Sequence, residues 1–79
     1  MTEKDINVIK SLCWLESFYN SGKQNSRYYV QKLQTVHNQI VHYFNVSLLE
    51  TNNSGVTLNN TFYSYSHLCQ HIKDNAKYY

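Results

Sequence analysis

Apolar side chains recur at Val8, Leu12, Leu15 and Tyr19, at intervals that place them on one face of a helix. The spacing predicts a first helix over residues 5–20. Two further apolar rows flank that face, Ile6, Ile9 and Cys13 in one and Trp14 with Phe18 in the other, each turned roughly 100° away from it. A helix apolar nearly all round either lies at the centre of its fold or buries the surplus against another chain. Asn20-Ser21-Gly22 supply a stop, with Gly22 suited to a left-handed cap.

A second helix is predicted from Asn25 or Ser26, either of which can cap it, to about Leu49, a length of roughly 35 Å at 1.5 Å per residue. Val30, Leu33, Val36, His37, Ile40, Val41, Phe44 and Leu48 fall on its apolar side. Arg27, Gln31, Gln34, Asn38, His42 and Asn45 form the polar stripe opposite. Glu50 to Gly55 reads as a loop by composition. Beyond it, Val56-Thr57-Leu58 and Thr61-Phe62-Tyr63 flank Asn59-Asn60, a pair suited to a two-residue hairpin turn; an irregular linker is the alternative. A third helix starts near Ser64 or Ser66 and gathers Tyr65, Leu68, Cys69, Ile72, Ala76 and Tyr79 on one face. The expected fold is mainly α, a three-helix arrangement in one small domain over 1–79; the alternative is α+β with a small hairpin.

Size sharpens this picture. A chain of 79 residues has a core expected to supply only about 3–5 kcal/mol, so dimerisation, a partner or a metal would help to hold it. The longest apolar run, Leu12-Cys13-Trp14-Leu15, falls far short of the roughly 18 residues that span a bilayer. Met1-Thr2-Glu3-Lys4-Asp5 lacks the charged-then-apolar order of a secretory signal, and a cytoplasmic location is expected. In that compartment Cys13 and Cys69 are expected to be reduced, buried thiols, and the sequons at Asn45, Asn52 and Asn59 carry no weight.

The composition is skewed. Gly, Ala, Pro and Arg together supply four residues, against ten Asn and eight Tyr. That bias points to an AT-rich gene, as in phages, plasmids and other low-GC genomes. Seven basic and five acidic residues leave a net charge of +2, too little and too scattered for a nucleic-acid footprint.

Candidate chemistry is sparse. His67 and His71 stand four apart with Asp74 and Tyr78 on the same side, a spacing that lets two imidazoles reach one metal. Further ligands would have to come from the apolar side, so a solvated face is the favoured reading and neither a metal nor another cofactor is expected. No Gly-x-Ser-x-Gly or phosphate-cradling glycine loop occurs, and the carboxylates suggest no acid/base pair. No catalytic residue is assigned, and an enzyme is not expected. His37, on the apolar side of the second helix, reads as a core or interface histidine with one hydrogen-bonding partner.

Two binding readings remain. Trp14, Phe18, Tyr28 and Tyr29 form an aromatic set with the makings of an interface. On this reading the chain is a helical, non-enzymatic protein that binds a larger protein partner and inhibits or regulates it. Host-system inhibitors and antitoxin-like regulators of phages and mobile elements fit that description, acting in the host cytoplasm. The surplus apolar rows of the first helix add the expectation of a homodimer. The alternative is a dimeric transcriptional regulator that reads nucleic acid with Arg27, Gln31, Gln34 and Asn38, since Arg, Gln and Asn match base edges bidentately. Few lysines and arginines support that helix, which weakens the second reading.

Overall fold

The computed structural model describes residues 1–22 and 27–76. Among them are three helices, α1 (Glu3–Asn20), α2 (Arg27–Phe44) and α3 (Tyr65–Ala76). A small antiparallel sheet of β1 (Leu49–Thr51), β2 (Gly55–Leu58) and β3 (Thr61–Ser64) lies between α2 and α3 in the chain. The capping positions proposed at Asn25 and Ser26, and the face position of Tyr79, lie outside the described residues.

Thr2 opens α1. Its side chain accepts from the Asp5 amide while the Asp5 carboxylate accepts from the Thr2 amide, a reciprocal capping box. The helix ends as its sequence anticipates, with Gly22 at φ +74° in the left-handed region. Val8, Leu12, Leu15 and Phe18 are buried, and Ile9, Trp14 and Tyr19 pack against the core around them. α1 touches α2 on one side and α3 on the other. Of the two fates open to an all-round apolar helix, this one takes the centre. The ground for expecting a homodimer thereby shrinks to Ile6, 41% exposed, and the exposed Cys13.

α2 ends earlier than its periodicity suggests. Asn45 adopts φ 53°, and the Val46 amide then bonds back to the Val41 carbonyl at 3.3 Å. This is the six-residue closure of a Schellman cap, with asparagine in the place more often held by glycine. Leu48 and Leu49 are therefore not the last turn of a helix: Leu48 is 58% exposed and Leu49 begins a strand. The loop expected over Glu50 to Gly55 shrinks accordingly, because Glu50 and Thr51 pair with Thr57 and Val56.

The hairpin is present. Asn59 and Asn60 have φ 47° and 73° between Leu58 and its partner Thr61, the paired positive values of a type I′ turn. Asn59 also ties the turn to the chain leaving α2. Its Oδ1 accepts from the Ser47 amide at 3.1 Å and the Leu48 amide at 2.9 Å. Asn59→Gly, which keeps the backbone conformation and deletes this acceptor, is expected to cost about 1–2 kcal/mol. Asn60→Gly should change stability by no more than about 0.5 kcal/mol, and urea unfolding of the two variants measures the difference.

Val56 and Leu58 turn inward to meet Leu12, Leu15, Ile40, Leu68 and Ile72 in one core. α3 follows β3 directly, with the Ser64 hydroxyl accepting from the His67 amide at 3.2 Å as an N-cap. Tyr65, Leu68, Ile72 and Ala76 are its buried face, as the sequence spacing indicates. Three helices with a small three-stranded sheet place the protein between the mainly α description and its α+β alternative.

Candidate functional site

The four candidate aromatic residues come together where the end of α1 faces the start of α2. Trp14 and Phe18, one helical turn apart, stack with centroids 4.9 Å apart and planes 12° apart. Tyr29 stands 6.2 Å from Trp14 and 5.7 Å from Phe18, and Tyr28 meets Tyr29 edge-on at 5.1 Å. Their exposure divides them. Phe18 is only 6% exposed and roofs the core, whereas Tyr28 is 79% exposed. Trp14 and Tyr29 are half-buried. Lys32, one turn beyond Tyr28 and Tyr29, holds its Nζ 5.6 Å from the Trp14 ring centroid.

The alternative stripe is also on the surface. Arg27, Gln31, Gln34 and Asn38 are all exposed along α2. Gln39, on the flank toward α1, is joined to Ser11, whose hydroxyl lies 2.6 Å from Gln39 Oε1.

The histidine pair on α3 is otherwise engaged. His67 lies against Tyr63 at 5.6 Å, His71 Nε2 accepts from Asn75 Nδ2 at 3.0 Å, and Gln70 donates to Asp74 at 2.9 Å. Among the described residues no group of three His, Cys, Asp or Glu side chains could hold a metal ion. Tyr78, the fourth residue of that constellation, lies outside them. The cysteines differ from expectation, since Cys13 is exposed and Cys69 only half-buried. Both line one depression between α1 and α3, and burial, followed by the neighbouring Cys13, pushes the Cys69 thiol up from its usual pKa. No described helix is long and apolar enough to cross a membrane.

Two interior polar networks left no trace in residue spacing. His37 Nε2 lies 2.8 Å from Thr51 Oγ1, which is in turn 2.6 Å from the Tyr19 hydroxyl. One strand hydroxyl thus joins α2 to α1, and the half-buried His37 has a hydrogen-bonding partner, as its place on an apolar face suggests. At the other end of α1, the Tyr43 hydroxyl of α2 donates to Asp5.

Both networks sit on titratable groups with lowered pKa values. Burial lowers His37 from 6.5 because it disfavours the imidazolium. The Tyr43 hydroxyl first, and then the Thr2 amide and hydroxyl, lower Asp5 from 3.8 by favouring its carboxylate. The unfolded chain therefore takes up each proton before the folded one as pH falls, so both contributions weaken on the acid side. On the acid side, melting temperature should decline first below pH 6.5, as the unfolded His37 protonates, and again below 3.8; above 9.0 it should fall as the unfolded Cys69 ionises ahead of the folded one. His37→Gln should remove the first stage and Tyr43→Phe should reduce the second, as read from thermal melts across that range.

Comparison with protein-family models, with characterised protein sequences and with solved structures gives no match.

Proposed function

We propose that the protein works by binding a larger protein, and through that binding inhibits or regulates it, with no catalytic step of its own. What carries this reading is the aromatic cluster. Tyr28 stands out at 79% exposed and Val30 nearby on α2 at 60%, while the half-buried Trp14 and Tyr29 give them a rigid base. Large rings held in place by packing lose little freedom on binding, which is why Tyr and Trp dominate interface energetics.

Affinity capture separates this reading from its rival. A protein retained by wild-type bait through high salt and nuclease, and lost by a Tyr28→Ser bait with unchanged helicity, supports it. Retention of nucleic acid that collapses as salt rises, and that depends on Arg27, Gln31, Gln34 and Asn38, would instead favour the regulator. Sedimentation of the purified chain tests the homodimer separately.

A further inference from the structure

Three depressions run end to end along the seam between α1 and α2. The first, about 380 Å³, carries Lys4 and His42 on its wall. The second, about 220 Å³, shares Asn7, Thr35 and Gln39 with the first and adds Lys10, Lys32 and Trp14. The third, about 160 Å³, shares Trp14 with the second and ends at Ser21 and Tyr29. They form one trough that opens onto the aromatic cluster. Lys4 and Ser21, near its two ends on α1, are separated by about 25 Å at the helical rise of 1.5 Å per residue.

The charge of this trough is one-sided. Lys4, Lys10 and Lys32 line it, and among the described residues no carboxylate does. The whole chain carries only +2, so the remainder of the molecule is slightly acidic. Between the lysines the walls bear neutral amides and hydroxyls, together with the apolar flanks of both helices. A stack of nucleic-acid bases would need open ring faces. Trp14 instead has Phe18 stacked against it and the Lys32 ammonium above its ring. Tyr29 is hemmed in by Trp14, Phe18 and Tyr28.

We propose that this trough receives an acidic segment of the partner protein, its Asp or Glu side chains against Lys4, Lys10 and Lys32 and an apolar side chain against Trp14 and Tyr29. The inference rests on the protein-binding function above and specifies the chemistry of what is bound. The length of the trough matches about sixteen residues of helix or seven to eight of extended chain. Lysines on flexible stems suit carboxylates at irregular spacing, and their field raises the rate at which an acidic segment arrives.

Trp14 is the single tryptophan of the chain and lines the trough, so its fluorescence reports occupancy directly. The probe is a sixteen-residue peptide with Glu at every third or fourth position, Leu and Phe between, and no Trp. A matched peptide with Lys for Glu and a sixteen-nucleotide oligothymidylate serve as comparisons. Saturable change with the acidic peptide alone is expected, weakening as salt rises. The triple variant Lys4→Glu, Lys10→Glu, Lys32→Glu should lose about tenfold or more in affinity, while Lys73→Glu on α3 changes it less than about twofold. Circular dichroism of each variant checks that these exposed substitutions leave the helices intact.

The proposal is overturned if the acidic peptide gives no saturable response, if the Lys peptide responds equally, or if charge reversal has no effect. Preference for the oligothymidylate would overturn it too and assign the trough to single-stranded nucleic acid. Failure here is separable from failure of the function itself. If the triple-lysine variant still captures a protein that Tyr28→Ser loses, protein binding stands and the trough is wrong.

Discussion

Leu15→Ala is expected to lower stability by about 3 kcal/mol, within the range of roughly 2–5 kcal/mol that truncating a fully enclosed leucine costs. Leu15 has no exposed surface and sits in the core shared by α1, α2, the sheet and α3. Its removal takes away the transfer energy of the lost methyl-bearing carbons and leaves a void whose walls belong to several elements, so no single one can move in to fill it. Against the roughly 3–5 kcal/mol expected from a core of this size, the loss is a large fraction of the whole. The melting temperature should fall by roughly 15 °C. Ile6→Ala, on the same helix but 41% exposed, should cost less than about 1 kcal/mol. Differential scanning calorimetry of the pair measures the contrast. Similar losses for the two would show that α1 is not at the centre of the fold.

Gly55→Ala is expected to be the second severe variant, and its mechanism is crowding. A Cβ at Gly55 would sit 2.3 Å from the Tyr63 carbonyl oxygen and 2.8 Å from the Phe62 ring carbon Cζ. Phe62 can swing aside, being 52% exposed. The carbonyl belongs to the backbone of the neighbouring strand, so relief requires parting β2 from β3. A cost of about 3 kcal/mol is expected, at the upper end for overpacking. Gly22→Ala offers the comparison, because nothing lies within 4 Å of its Cβ and only its φ of +74° opposes the change. That cost should be about 1–2 kcal/mol. Amide exchange across β2 and β3 should quicken in the first variant and stay unchanged in the second. The reverse ranking would mean that the hairpin register is not as described.

The three helices and the Asn59-Asn60 turn were legible because each depends on local chemistry: a 3.6-residue period, a capping serine, two residues tolerant of positive φ. β1 was not legible. Asn45 falls on the polar side of α2 in step with Asn38 and His42, so periodicity carries the helix through the very residue that ends it, and the stop lies in a backbone angle. Leu48-Leu49 then continues the apolar pattern and hides a strand of three residues. At the candidate site, Trp14, Phe18, Tyr28 and Tyr29 were legible as an aromatic set from residue type and helical row, and the structure brings them together. The burial of Phe18 did not follow, because it depends on which flank of α1 meets α2. Ser11 with Gln39, and Tyr19 with Thr51 and His37, join neutral side chains far apart in the chain, and no spacing rule anticipates such pairs.

The central position of α1 also bears on the order in which the molecule can form. One flank of this helix is closed by α2, but the other is closed by α3, the last helix of the described chain. Cys13 and Cys69, which line the same depression, mark how far apart in sequence the closing partners lie. During synthesis α1 keeps an apolar flank open until α3 is available, and the long loop between them must close before their contacts repay it. Closure of the core thus waits on α3, and the interval before it docks is when a nascent copy is most exposed to association with its neighbours.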